Sequence, residues 1–84
     1  MVHRTEAYDE IAEMVFKRLG IEYHRTEDGH VLAVNRTSIV NRVDTSTENE
    51  SYEKLLVILR SEIPARMIIW SFKTDEDLFL EIRS

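Results

Sequence analysis

Two segments of this chain carry the same apolar stripe, 44 positions apart. Tyr8, Ile11, Ala12, Val15 and Leu19 fall at i, i+3, i+4, i+7 and i+11, and Tyr52, Leu55, Leu56, Leu59 and Ile63 repeat the spacing. Such a stripe belongs to an amphipathic helix that lays one face on a core. The first helix is expected to start at Thr5 as N-cap and to stop at Gly20, with Lys17 and Arg18 near its negative end. The second is expected to run from Glu48 to Ile63, because Pro64 disfavours helical geometry in the residue before it.

A hairpin signal follows each stripe. In IEYHRTEDGHVLAV the pair Asp28-Gly29 suits a type I′ turn, which sets Glu27 opposite His30, Arg25 opposite Leu32 and Tyr23 opposite Val34. In ARMIIWSFKTDEDLFLEI the chain turns around Asp75. Pairing Phe72 with Leu78 gathers Ile68, Trp70, Phe72, Leu78, Leu80 and Ile82 on one apolar face, and a one-residue slip would scatter them. Trp70 is thus expected to be buried against the helices, with Met67, Ile69 and Phe79 facing the other way.

The plan is α-β-β-(β)-α-β-β. It is an α+β two-layer sandwich, with two helices on one face of a mainly antiparallel four- or five-stranded sheet. The connector RTSIVNRVDTST fits either a short strand at Ile39–Val43 or a helical turn. The matched halves reflect an old duplication or one packing problem solved twice.

At 84 residues the chain reads as one domain, 1–84, and without cysteine it has neither disulfides nor a thiolate metal site to hold it. The apolar core must supply the stability. No run is apolar enough to span a bilayer, and MVHRTEAYDE is no signal peptide, so a cytoplasmic protein is expected. The N-x-[ST] matches at Asn35 and Asn49 are then accidental. A net charge of −5, with the basic residues scattered, argues against nucleic-acid binding. Eight of the eleven basic residues are Arg and Gln is absent, a bias that fits a thermophile.

The stretch DTSTENESYE, residues 44–53, admits two readings. Thr47 followed by Glu50 is a capping box, and Glu48, Glu50 and Glu53 sit where a helix dipole favours negative charge. The other reading is a divalent-cation site. A helix over 48–63 rises about 24 Å and a strand over 65–72 returns about 26 Å, so KTDED lies at the same pole. Asp44, Glu48, Glu50, Asp75, Glu76 and Asp77 would then crowd together with only Lys73 to offset them. Oxygen ligands in irregular loops suit Ca²⁺, although the stretch is no EF-hand: Asn49 stands where that loop needs Gly, and Leu55 where it needs Glu.

With these acidic loops, its length, its acidity and its lack of cysteine, the chain resembles a small calcium-binding α+β protein of unknown role from thermophilic methanogens. The resemblance implies a calcium site at the acidic loops.

Other candidates are weaker. His24 and His30 fall on opposite faces of their hairpin and cannot readily share a metal, and His3 lies at the chain end. Glu6, Asp9, Glu10 and Glu13 form an acidic stripe on the first helix, with Glu13 placed to pair with Lys17. No nucleophile elbow or phosphate loop is present, and two glycines cannot build an amide cradle. The expectation is a small, acidic, non-catalytic binding protein with a calcium site at the acidic pole. The alternative is a protein-binding or inhibitor module acting through its acidic helix or open sheet face, as a monomer or weak homodimer. A magnesium-dependent enzyme ranks third.

Overall fold

The computed structural model of the chain describes residues 8–27, 31–72 and 74–83. Helix α1 spans Tyr8–Leu19, with acidic residues in its first turn and Lys17 and Arg18 in its last. The expected cap at Thr5 lies outside the described residues. At the other end Gly20 takes φ +77°, its N–H bonds the Lys17 carbonyl, and the Ile21 N–H bonds the Phe16 carbonyl at 2.9 Å. This paired closure requires a left-handed residue after the last helical turn, which glycine adopts without penalty.

Strands β1 (Tyr23–Arg25) and β2 (Val31–Asn35) pair as expected, Tyr23 with Val34 and Arg25 with Leu32. The Asp28-Gly29 turn and the Glu27–His30 rung involve residues outside those described. The connector then folds as helix α2, Arg36–Arg42, and adds no fifth strand. The side chain of Asn35 decides this, since its Oδ1 accepts the Ser38 N–H at 2.8 Å and caps the helix. Ser38 in turn accepts the Glu22 N–H at 2.7 Å. Ile39 and Val43 enter the same core as the two longer helices, so α2 belongs to the helical layer and leaves the sheet's far face uncovered by it.

Helix α3 spans Glu48–Arg60, capped by the Thr47 hydroxyl, which accepts the Glu50 N–H at 3.2 Å. It ends short of Ile63, but a closing turn (Ile63 N–H to the Leu59 carbonyl, 2.9 Å) still delivers that side chain to the core. After Pro64, residues Ala65–Met67 form one turn of 3-10 helix, so β3 covers only Ile68–Ser71. Strand β4 spans Asp77–Ile82. The four strands are antiparallel in the order β1-β2-β4-β3, with Trp70 opposite Leu80 and Ile68 opposite Ile82, the register the apolar face demands.

Leu32, Val34, Leu78, Leu80 and Ile68 meet Ala12, Val15, Phe16, Tyr52, Leu55 and Leu59 in one cluster between sheet and helices. Two expectations about side chains need correction. Trp70 packs against this cluster but is only half-buried, because β3 is an outer strand with one open flank. Met67 also packs on the core, since the 3-10 turn breaks the strand alternation that would have turned it away. Ile69, 40% exposed, does lie on the far face, opposite Glu81 and one rung from half-buried Phe79. Among the described residues no helix is long and apolar enough to cross a membrane.

Candidate functional site

Strand β2 runs beside β4 with Asn35 opposite Asp77, and the next rung joins the Arg36 N–H to the Glu76 carbonyl at 2.9 Å. This pairing carries Arg36, the first residue of α2, into the acidic pole. Its guanidinium is held on every side. Nε donates to the Tyr52 hydroxyl at 3.1 Å, Nη2 to Glu48 Oε1 at 3.0 Å, and Nη1 to the carbonyls of Thr74 and Asp75 at 3.3 and 3.4 Å. The cation lies 4.8 Å from the Phe72 ring centre and 5.5 Å from that of Tyr52, within cation–π range of both. The Tyr52 hydroxyl also donates to Glu48 Oε1, which closes a triangle of phenol, carboxylate and guanidinium. Trp70 extends the aromatic chain edge-on to Phe72, 5.0 Å between centroids.

The pole therefore does contain a cation, and it is the chain's own. Of the six acidic residues expected to share an ion, Glu48 bonds Arg36 through its carboxylate. Asp75 and Glu76 contact Arg36 through backbone carbonyls, and both residues are exposed. Asp77 opens β4, its N–H bonded to Thr74 Oγ1 at 3.1 Å. Glu50 accepts the Thr47 hydroxyl at 3.2 Å as part of the helix cap, and Asp44 is exposed in the loop before α3. Glu48 and Asp75 line one groove of about 360 Å³ with Arg36, Thr37, Val40 and Tyr52; Asp44, Glu50, Glu76 and Asp77 are not among its walls. Among the described residues no three His, Cys, Asp or Glu side chains are grouped to hold a metal ion.

The hydroxyls of Thr45, Thr47, Ser51 and Tyr52 are committed to the chain itself. Thr45 Oγ1 donates to the Thr47 carbonyl at 2.7 Å and Ser51 Oγ to the Val43 carbonyl at 2.8 Å, with the two hydroxyls 2.7 Å apart. Thr47 and Glu50 form the expected capping pair at the start of α3.

The acidic stripe on α1 is likewise partly answered. Arg25 shares its sheet face with Tyr23 and Leu32 and so points at the helices, where it bonds Asp9 at 2.7 Å and also Glu13. Glu13 pairs there rather than with Lys17. Glu10 is exposed, and Glu6 lies outside the described residues. His24 is exposed on β1.

These contacts fix the pH response. The Arg25 guanidinium holds the Asp9 carboxyl below its ordinary 3.8. The Tyr52 hydroxyl, and then Arg36, hold the Glu48 carboxyl below 4.5. Burial, and then the Glu48 carboxylate, push the Tyr52 phenol above 10.0. A depressed carboxyl contributes stability above its unfolded value and loses it as pH falls through the folded one; a raised phenol contributes below pH 10 and loses it as pH rises further. The melting temperature is therefore expected to hold between about pH 5 and 9.5 and to drop on both sides. Tyr52→Phe should flatten the alkaline drop in a pH series of thermal melts, and an undiminished drop in that variant would count against the phenol.

Arg36, Tyr52 and Phe72 as parts of one site escaped the sequence reading. Glu48 and Tyr52 stand four apart at the start of a helix, a spacing that brings side chains together and was visible. Arg36 was not, because its place depends on β2 lying beside β4.

No known protein family, curated protein or solved structure matches the chain.

Proposed function

We propose that the protein is a non-catalytic binding module that takes a basic segment of another protein at the Arg36 pole. The observation that carries this reading is the make-up of the groove there. Its walls join an arginine–tyrosine platform to the Glu48 and Asp75 side, and exposed apolar side chains stand at hand, Val40 at 38% and Phe72 at 44%. Aromatic and arginine side chains held rigid by their neighbours are the usual anchors of protein interfaces. An exposed carboxylate beside them selects a positively charged partner and steers its approach. The chain's net charge of −5 acts in the same direction over longer range.

The calcium reading survives only in a narrower form. It requires Ca²⁺ to compete with Arg36 for Glu48, and it draws on the acidic loops and on the resemblance to the methanogen proteins. Amide spectra discriminate between the two. Peptides selected from a random displayed library should be rich in Arg or Lys next to an apolar residue, and should shift amides of residues 36–52 and 72–77. Asp75→Asn should weaken them. Selected peptides that shift other surfaces would sink the proposal, and saturable shifts of the same loops in millimolar Ca²⁺ would restore the calcium site.

A further inference from the structure

Strand β3 is an outer strand, with no further strand beside it among the described residues. The Arg83 N–H donates to the Met67 carbonyl at 2.8 Å, so residue 67 turns its carbonyl toward β4. Alternation along an antiparallel strand then points the amide groups of Ile69 and Ser71 at β4 and those of Ile68 and Trp70 outward. The Ile68 N–H is already given to the Ala65 carbonyl. The Ile68 carbonyl and both amide groups of Trp70 remain at the rim, and the same alternation adds those of Phe72.

Protein edges of this kind are normally blunted by charge or cover. The opposite edge, β1, is: it is three residues long, has Glu22 and Glu27 near its ends, and Arg25 ties it to α1. From residue 67 to 72 the segment that holds β3 reads Met, Ile, Ile, Trp, Ser and Phe, with no charge at all.

We propose that β3 pairs antiparallel with β3 of a second copy, about a two-fold axis at Trp70. The helical layers of both copies must lie on one face, which allows only registers that match core-facing residues with each other. With Trp70 opposite Trp70 of the second copy, Ile68 meets Phe72 and Ile69 meets Ser71. The outward amide groups of Trp70 then meet those of its copy, the Ile68 carbonyl meets the Phe72 N–H, and the large side chains pack apolar against apolar. The same axis draws the exposed Arg66 toward the Thr74–Asp77 turn of the second copy, where Asp75 and Glu76 are exposed, and it does so twice. The neighbouring register, with Ile69 on the axis, instead sets Arg66 against Phe72, whose ring Arg36 already occupies. Amide direction allows both registers, and charge complementarity selects the one centred on Trp70. The product is a continuous sheet of two four-stranded halves, with all helices on one side.

The test uses the full chain in sedimentation equilibrium from micromolar to millimolar concentration, with fluorescence of Trp70, the chain's one tryptophan, read alongside. Dimer formation should shift Trp70 emission to shorter wavelength as the edge is covered. Ile69→Lys puts a charge on the edge without touching the core and should weaken the dimer at least about tenfold. Arg66→Glu should weaken it by about three- to tenfold, and adding Asp75→Arg should recover most of the loss, which mere loss of folding would not do. A chain that stays monomeric at millimolar concentration overturns the proposal. So does a dimer that survives Ile69→Lys, leaves Trp70 emission unchanged, or falls apart instead on Phe79→Lys, which would place the contact on the far face of the sheet.

Discussion

Phe16→Ala is expected to be among the most damaging single changes in this protein, at about 3–5 kcal/mol. Phe16 is fully enclosed between α1 and the sheet, and its ring lies 5.4 Å from that of Tyr23. Truncation removes its burial and leaves a cavity that the neighbouring strands cannot collapse into, because they are fixed by their ladder. A domain of this size has about 4–13 kcal/mol in hand at 0.05–0.15 kcal/mol per residue, so a large part of the total goes. The melting temperature should fall by about 12–40 °C at 4–8 °C per kcal/mol. Trp70→Ala is the informative contrast. The residue is larger, but it is half-buried on an outer strand, and at low micromolar concentration it should cost about 1–3 kcal/mol. Thermal and urea unfolding followed by circular dichroism give both numbers. If Trp70→Ala proves the costlier, the edge position of β3 is wrong.

That contrast also marks how far the sequence could be read. The stripes at Tyr8–Leu19 and Tyr52–Ile63 located the helices because periodicity is a local property of the chain. Both hairpin registers followed from local pairing and from the need to keep apolar residues on one face. What failed was non-local or too short to have a period. Seven residues at Arg36–Arg42 carry β-branched side chains that suit either state, and one hydrogen bond from Asn35 settles the matter. Trp70 was assigned to the correct face, but its burial depends on whether another strand lies beyond β3, which no pattern within the hairpin encodes. Element lengths bring the turn before β4 and the start of α3 to one pole, where Glu48 and Asp75, two of the six acidic residues, line one groove. Its counter-charge was missed for the same reason as the strand order: β2 beside β4 is a choice between distant segments.

Removing that counter-charge has the second large effect. Arg36→Ala leaves the Glu48 carboxylate, the Tyr52 hydroxyl and the carbonyls of Thr74 and Asp75 without their shared donor, and uncovers one face of Phe72. Water reaches part of this site, so the cost is that of several partly exposed charge-assisted bonds, about 1–3 kcal/mol. Arg36→Lys keeps the charge but not the planar fork, and should recover less than half of the loss. The sharper signature is coupling. Glu48→Gln alone should destabilise, because it strips Arg36 of its carboxylate; in the Arg36→Ala background it should be neutral or stabilising, because the carboxylate has then lost its guanidinium partner. The electrostatics reverse in the same way. With Arg36 gone, Glu48, Asp75 and Glu76 repel one another, and the melting temperature should rise with added NaCl or Ca²⁺ more steeply than that of the unaltered protein. Equal salt dependence in the two proteins, together with additive Arg36 and Glu48 effects, would show that the guanidinium does not neutralise this pole. A calcium response confined to the Arg36→Ala variant would explain why six carboxylates in two short segments can look like an ion site in sequence while the folded chain fills that place with its own arginine.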